Sequence, residues 1–258
     1  GGWLDAEHAA HPERVHWVSE YGADSDSRLH SVHPTRNDQS IEYQQLFNAS
    51  YLQQMGERPY LAGTTYWSQF DFGSESRTGS MPHINTKGLM LSDRTPKDVY
   101  YLFQAYFRTT PVLHIASRHW SHRTGTVPAA PQGAGRQPVT QEVTVYSNLA
   151  QIELFADGAS LGVKAPGTAR TAKWQVPLVH GTNKLTTRGR AKNGTVLRDA
   201  VDVAFTYQAP VLADPSVPFH RLATSAGAIV QYTDPESWVW VEDQAYSVGG
   251  WGAVGGTA

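Results

Sequence analysis

The feature that most constrains the fold is a change in hydrophobic periodicity near residue 139. Before this point, apolar side chains recur at helical spacing in two segments, and these alternate with two short β-prone runs. The order strand, helix, strand, helix predicts a parallel sheet or barrel within residues 1–110. After this point, short runs alternate between apolar and polar residues and are separated by turn signals, which is typical of an antiparallel sandwich.

The first region contains two strand–helix units. The predicted elements are strands over 15–19 and 61–67 and helices over 40–55 and 95–107. Each helix begins with a hydroxyl residue, Ser40 or Thr95, that suits the N-cap position. In a barrel of parallel strands, functional side chains lie at the carboxyl ends of the strands. The residues that directly follow the two predicted strands are therefore the first candidates for chemistry.

Residues 111–208 carry the alternating pattern and predict an immunoglobulin-like sandwich. A strand is predicted over 113–120, and a loop rich in proline and glycine is predicted over 124–138. Turns are predicted at Asp157-Gly158, Gly181-Thr182-Asn183 and Asn193-Gly194. Residues 209–258 begin with a proline-rich linker and continue as an aromatic, glycine-rich segment that is too short to be a stable domain alone.

Composition excludes several classes of function. The net charge of −2 argues against an electrostatic nucleic-acid binder. The absence of cysteine excludes disulfides, cysteine-ligated zinc and thiol catalysis. No apolar run approaches the roughly 20 residues that span a bilayer. The sequence also contains no Walker loop, GxGxxG or GxSxG motif. We expect no cofactor, no nucleic-acid partner and no membrane span.

Two strand-end residues are candidates for a carbohydrate site. Glu20 follows the first predicted strand and directly precedes Tyr21-Gly22. A carboxylate at the end of an apolar strand is partly desolvated, and a partner or a functional role must offset this unfavourable free energy. Its structural alternative is an ion pair with a nearby arginine. Trp67 ends the second predicted strand beside a polar loop, and an aromatic face there suits stacking on the C–H face of a sugar. Its structural alternative is an ordinary core tryptophan.

A third group lies in the polar loop between the second strand and the second helix. Alternate residues of an extended segment point the same way, so His83, Asn85 and Lys87 would face one pocket with the mixed donors and acceptors that sugar hydroxyls require. The alternative for this segment is a solvated loop without a binding role.

Two histidine pairs have a spacing that permits metal binding if an acidic residue joins them. They are His30-x-x-His33 and His119-x-x-His122. Neither pair is part of an HExxH motif or a similar one, so we expect no metal site.

Four collinear segments between residues 18 and 97 resemble glycoside hydrolase family 2, the family of β-galactosidases and β-glucuronidases. They match the family's nucleophile segment, its final barrel strand with an active-site tryptophan, and the loop and helix that follow. The segments are Val18-Ser19-Glu20-Tyr21-Gly22-Ala23, Thr65-Tyr66-Trp67-Ser68-Gln69-Phe70-Asp71-Phe72-Gly73, Asn85-Thr86-Lys87-Gly88-Leu89 and Ser92-Asp93-Arg94-Thr95-Pro96-Lys97.

The resemblance implies an α/β plus all-β architecture. Residues 1–110 would be the C-terminal part of a (β/α)8 TIM barrel, and residues 111–208 would be an immunoglobulin-like sandwich. Residues 209–258 would be a linker and the start of a malectin-like carbohydrate-binding domain. The family's acid/base lies in an Asn-Glu dipeptide, which this sequence lacks. We therefore expect a C-terminal fragment of a family 2 enzyme that has no glycosidase activity on its own.

The resemblance also implies the chemistry. Glu20 would be the nucleophile of a retaining mechanism, which forms a glycosyl-enzyme intermediate. Trp67 would form the floor of the −1 sugar site, and Asn85 and Lys87 would contact the glycone. We expect a secreted or periplasmic β-galactosidase-like enzyme that acts on oligo- or polysaccharides with a terminal β-linked sugar. The alternatives are β-glucuronidase-type specificity through Asn85-x-Lys87, a non-catalytic carbohydrate-binding module and a purely structural surface module.

Overall fold

Two parallel strands joined by a helix organise the first part of the molecule. The computed structural model describes residues 2–127, 137–215, 217 and 221–255. Its first elements are α1 (Gly2–Ala10), β1 (His16–Tyr21), β2 (Leu29–His30), α2 (Ile41–Gly56), β3 (Leu61–Tyr66), β4 (Phe72–Gly73), β5 (Ile84–Asn85) and α3 (Asp98–Phe107). β1 and β3 pair in parallel, with Tyr21 opposite Tyr66. The predicted order of strand, helix, strand and helix is confirmed for β1, α2, β3 and α3.

The helix α2 packs with a polar inner face. Its predicted N-cap is confirmed, because the Ser40 hydroxyl accepts a hydrogen bond from the Tyr43 amide at 3.0 Å. Its apolar residues do not all face the core, since Leu46 is exposed whereas Gln44 is fully buried. The Gln44 amide donates to the carbonyls of Ala23 and Gly88, at 3.2 and 3.1 Å. The helix therefore satisfies the backbone of two loops, and polar side chains are needed on that face.

The helix α3 begins two residues later than predicted, at Asp98 instead of Pro96. Pro96 pairs with Met90 in an isolated bridge, and the Leu91 amide donates to the Thr95 carbonyl at 2.8 Å. The segment before the helix is therefore held as a loop, and the N-cap position falls to Lys97, whose side chain makes no capping hydrogen bond.

The middle of the chain forms two antiparallel-dominated sheets that share one core. Their strands are β6 (Leu113–Ile115), β7 (His122–Thr126), β8 (Val139–Ser147), β9 (Ile152–Ala156), β10 (Ala159–Lys164), β11 (Thr171–Leu178), β12 (Gly181–Arg190) and β13 (Val196–Gln208). The sheet orders are β10-β9-β12-β13-β7 and β11-β8-β6. Val145, Leu154, Val176, Leu185 and Val203 are fully buried in the shared core, as their alternation predicts.

Three local predictions for this region need correction. The strand predicted over 113–120 ends at Ile115. The turn predicted at 181–183 is the start of β12, because the chain reverses two residues earlier, at Val179-His180. The loop predicted over 124–138 begins inside β7, and its residues 128–136 lie outside the described part of the chain. The turns at Asp157-Gly158 and Asn193-Gly194 are confirmed.

The last segment joins the first region. β14 (Gln231–Thr233) pairs with β15 (Val239–Trp240) and also with β2, so strands from the two ends of the chain form one three-stranded sheet. The Thr233 amide donates to the Arg28 carbonyl at 2.8 Å. This docking supplies the partners that a segment of this length cannot supply for itself. The domain boundaries at 110 and 208 and the three domain types stay predictions.

Candidate functional site

Glu20 and Trp67 lie at adjacent strand ends. The Trp67 amide donates to the Tyr21 carbonyl at 2.8 Å, which continues the pairing of β1 and β3 beyond the last strand residues. Glu20 is exposed and forms no ion pair with any residue in the described ranges. The described residues therefore do not form the ion pair between Glu20 and an arginine that was the structural alternative for Glu20. Its carboxylate stands at the carboxyl end of a parallel strand and is open to solvent.

Trp67 is not a core residue. Its side chain is 39% exposed, and its ring contacts Phe72 edge-on with ring centroids 5.9 Å apart. The backbone of Trp67 is held against Gly22, where a Cβ atom would lie 2.0 Å from the Trp67 carbonyl oxygen. The glycine that follows Glu20-Tyr21 thus allows the two strand ends to approach closely.

The loop that carries Asn85 and Lys87 is attached to the end of β3. Asn85 is 3% exposed, and its Oδ1 accepts a hydrogen bond from the Lys87 amide at 3.2 Å. The Tyr66 hydroxyl donates to the Lys87 carbonyl at 2.6 Å, and the Leu89 amide donates to the Ser68 carbonyl at 3.0 Å. The structure therefore brings this loop beside Trp67, and the roles of Asn85 and Lys87 in binding a sugar stay predictions.

A small cavity with an excess of positive charge opens beside this loop. It has a volume of about 300 Å³. Its charged lining residues, among those described, are Asp24, Arg77 and Lys87, which leaves one positive charge uncompensated. The Lys87 ammonium donates to Asp24, and Arg77 Nη1 lies 3.6 Å from Asp24 Oδ2. Burial alone would raise the pKa of Asp24, but the two cations hold it below its ordinary value.

His83 does not share the orientation that the sequence predicts. Its backbone has a φ of 61°, so the segment 83–87 is not continuously extended, and β5 covers only Ile84 and Asn85. The His83 ring is exposed and its Nδ1 lies 2.9 Å from the Glu75 carbonyl oxygen. The alternation argument for His83 is therefore wrong, and its role in substrate binding stays an untested prediction.

A buried ion pair between Lys97 and Asp71, which the sequence analysis did not predict, holds the loop that carries Lys87. The Lys97 side chain is fully buried, and its Nζ donates to Asp71 Oδ1 and to the Thr86 carbonyl, both at 2.9 Å. Asp71 Oδ1 also accepts from the Gly88 amide at 2.9 Å. Burial raises the pKa of Asp71 and lowers the pKa of Lys97. Both residues lie inside the segments that resemble the family, so the resemblance was a signal that could have pointed to them.

The histidine pairs are engaged in other contacts. His30 Nδ1 lies 3.1 Å from Glu42 Oε1, and the His30 ring stacks on Trp120. Across the ranges that the structure describes, no group of three or more histidine, aspartate or glutamate side chains is arranged to hold a metal ion. None of the described helices combines the length and hydrophobicity needed to cross a membrane.

Comparison with known proteins identifies the family. A β-glucuronidase of Bacteroides fragilis is 30% identical over 221 residues, which cover 81% of this chain and 29% of that protein. The β-galactosidase BoGH2A of Bacteroides ovatus is 28% identical over 141 residues, which cover 53% of this chain and 15% of that protein. The solved structure of Bacteroides uniformis β-glucuronidase 2, covalently bound to cyclophellitol-6-carboxylate aziridine, is 42% identical with a TM-score of 0.88. The chain belongs to glycoside hydrolase family 2.

The family 2 resemblance drawn from the sequence is therefore confirmed. The match to the Bacteroides uniformis structure covers 99% of this chain and 30% of that one, so this family 2 chain spans about 30% of the length of such relatives. Residues 139–198 also match a family described as a domain of unknown function, DUF4982. Two of the three relatives named above are β-glucuronidases, so the comparisons do not support the expectation of galactosidase specificity.

Proposed function

We propose that this family 2 chain supplies the nucleophile and the glycone-binding loop of a retaining β-glycosidase with β-glucuronidase-type specificity. The observation that carries the proposal is the uncompensated positive charge of the cavity beside Lys87. A uronate differs from a neutral hexose by its carboxylate, and a carboxylate gains most from charged hydrogen-bond donors in a partly enclosed site. A galactoside lacks the carboxylate and would gain less from this charge.

The named relatives support the same specificity. The Bacteroides uniformis enzyme is covalently bound to an aziridine that carries a carboxylate at position 6. An aziridine is an electrophile, so a covalent adduct requires a nucleophilic side chain on that protein. In this chain the corresponding role falls to Glu20, the exposed carboxylate at the end of β1. The TIM-barrel assignment of residues 1–110 belongs to this proposal, since it is what makes the carboxyl ends of β1 and β3 a catalytic face.

The proposed reaction assigns a role to each of these residues. A Glu20 carboxylate oxygen forms a bond to the anomeric carbon while the glycosidic C–O bond breaks, and Trp67 offers its exposed face to the sugar. The leaving oxygen takes a proton from a general acid, which later activates the water that releases the sugar. The sequence contains no Asn-Glu dipeptide, so we assign no residue of this chain to that acid/base role.

The test uses the full-length protein that carries this sequence, with p-nitrophenyl β-D-glucuronide and β-D-galactoside as substrates. Glu20→Gln should lower kcat on the glucuronide by at least about 10³-fold, because the amide cannot form the glycosyl ester. Glu57→Gln, at the exposed end of α2, is the matched control and should retain activity. Full activity of Glu20→Gln would contradict the nucleophile assignment.

The specificity arm of the same experiment uses Lys87→Gln. Removing the ammonium should lower kcat/KM for the glucuronide by about 10²-fold and leave kcat/KM for the galactoside within a few-fold, since the lost interaction is with the uronate carboxylate. An unchanged ratio between the two substrates would contradict glucuronidase-type specificity while leaving the nucleophile assignment in place.

A further inference from the structure

The outer face of the sandwich carries a concentration of positive charge at one end. In β12 and β13, alternate residues are buried in the core and the residues between them point to solvent. Four exposed cations lie at the end of this face where the two strands meet in a hairpin turn. They are Arg188, Arg190, Lys192 and Arg198, and we call this group the basic hairpin. The acidic residue opposite Arg188 on β9 is Glu153, so four cations face one carboxylate in a chain whose net charge is −2.

Two arginines of the basic hairpin lie directly opposite each other. Arg188 and Arg198 are partners in the antiparallel register of β12 and β13, which places their Cβ atoms about 4.5–5.5 Å apart on one face. Like charges in this arrangement destabilise a sheet. Arg190 follows two residues after Arg188, about 7 Å further along the same face. An arrangement that opposes folding indicates a role outside the fold itself.

The neighbouring carboxylates do not neutralise the basic hairpin. Glu153 pairs with Arg188, whose Nη2 lies 2.8 Å from Glu153 Oε2, and it also accepts from the Ser160 hydroxyl at 2.7 Å. Asp199 lies on the core side of β13, opposite a buried threonine of β12, and pairs with Arg118. Among the described residues, no carboxylate forms an ion pair with any of the other three cations of the basic hairpin.

The distribution of this charge favours a long ligand. The cations extend along β12 into the turn and across to β13, so a small anion contacts only some of them. A polymer with an anionic group on successive units can contact several cations at once, and the weak individual contacts then reinforce one another. The planar guanidinium of arginine matches a carboxylate through two parallel hydrogen bonds. Because the chain belongs to a glycoside hydrolase family, the polymer expected at this surface is a polysaccharide.

We propose that the basic hairpin binds a polysaccharide whose sugar units carry uronate carboxylates. None of its four residues lines the cavity beside Lys87, so binding there is a second contact with the polymer. Such a contact raises the local concentration of polymer ends around the enzyme. The choice of a uronate polymer rests on the proposed function, since an enzyme that removes a terminal uronate meets polymers that contain this sugar. The surplus of positive charge does not rest on it.

The test is isothermal titration calorimetry of the full-length protein with polygalacturonate. The protein carries Glu20→Gln and Lys87→Gln, so that the candidate active site does not contribute. We expect binding that Arg190→Gln/Arg198→Gln weakens about fivefold or more, because each exposed ion pair adds a modest free energy. In about 1 M NaCl this difference should disappear, since charges at the surface are then screened within about 3 Å.

The matched control is Arg36→Gln/Arg108→Gln, which removes two exposed arginines outside the sandwich and should bind as the parent does. Arg190→Gln/Arg198→Gln should fold normally, because it relieves the repulsion between Arg198 and Arg188. Urea denaturation should therefore show a stability equal to that of the parent or higher. A clear loss of stability would mean that these arginines serve the fold, and it would overturn the proposal.

The proposal is also overturned if polygalacturonate does not bind, if neutral dextran binds equally well, or if the hairpin variant and the control variant have the same affinity. Binding of dextran sulfate without binding of polygalacturonate would overturn the assignment of a uronate polymer. Tighter binding of double-stranded DNA than of polygalacturonate would assign the surface to a nucleic acid instead. The proposed function is tested separately, by the effect of Lys87→Gln on the preference between the two small substrates.

Discussion

Lys97 is a charged side chain with no exposed surface, and it fixes the loop that carries Lys87. Its ammonium joins Asp71 to the Thr86 carbonyl, so the ion pair connects the segment after β3 with the loop that carries Lys87. Lys97→Met would leave the Asp71 carboxyl buried without its cation. We expect a loss of about 3–5 kcal/mol in the free energy of unfolding, measured by urea denaturation, and a raised KM for the glucuronide.

The double variant Lys97→Met/Asp71→Asn separates charge from packing. It removes both charges but keeps an oxygen that can accept from the Gly88 amide, so we expect it to recover part of the lost stability. Lys192→Met, at an exposed turn of the sandwich, is the control for loss of a lysine and should leave both stability and KM unchanged. Equal destabilisation by the single and the double variant would rule out the uncompensated carboxyl as the cause.

At the scale of elements, the contact between the ends of β1 and β3 depends on Gly22. A Cβ atom at this position would lie 2.0 Å from the Trp67 carbonyl oxygen, which is backbone and cannot turn away. Gly22→Ala should therefore force the two strand ends apart and cost about 1–3 kcal/mol. Because Trp67 lies at this contact, kcat/KM of the full-length protein for p-nitrophenyl β-D-glucuronide should fall as well, by about tenfold or more.

Gly73→Ala is the matched substitution for that test. Gly73 lies in β4 of the same region, and no heavy atom lies within 4 Å of the position of an added Cβ. Alanine there should leave stability unchanged or raise it by about 0.4–1 kcal/mol. If the two alanine variants have the same stability and activity, the close approach of Gly22 to Trp67 affects neither the stability nor the activity of the protein.

Hydrophobic periodicity predicted which helices and strands surround the site better than it predicted which face of each one is buried. The order of the β1–α2–β3 unit could be predicted from its periodicity, and the sandwich core could be predicted because its alternating residues, such as Val145 and Val203, are buried in one shared core. The polar inner face of α2 could not, since Gln44 is buried to satisfy the carbonyls of Ala23 and Gly88, which are remote in sequence. His83 shows the same limit, because its positive φ breaks an alternation that assumes an extended chain.

Strand ends and alternation made Glu20, Trp67 and Lys87 candidates, and the family resemblance added a role for each, which stays a prediction. The structure places all three near the ends of β1 and β3. Their supporting groups, Asp24 and Lys97, were not singled out. A charge that is buried against a neighbouring loop leaves no mark in hydrophobic periodicity, since its partner is fixed by the tertiary fold.

At the scale of the whole molecule, two of the connections among the described residues show how the parts of the chain are joined. The three-stranded sheet of β2, β14 and β15 attaches the C-terminal segment to the first region. A buried pair attaches α3 to the sandwich, because Asp98 Oδ1 lies 3.1 Å from His114 Nε2 of β6. Tyr101 of α3 also stacks on the His114 ring with centroids 3.7 Å apart. The candidate site is thus supported by contacts to both later segments of the chain.

The Asp98–His114 pair predicts how this connection responds to acid. Burial alone would raise the pKa of Asp98, but the imidazoles of His114 and His119 hold it below its ordinary value of 3.8. A carboxyl with a depressed pKa stabilises the fold above its unfolded pKa, and this contribution is lost as the pH falls through the folded value. Asp98→Asn should therefore destabilise the protein by about 1–3 kcal/mol at pH 7 and by progressively less below pH 4. Urea denaturation from pH 7 to pH 3 measures the difference, with the exposed Asp202→Asn as control. A difference that stays constant over this range would mean that the ionised form of Asp98 does not hold α3 to β6.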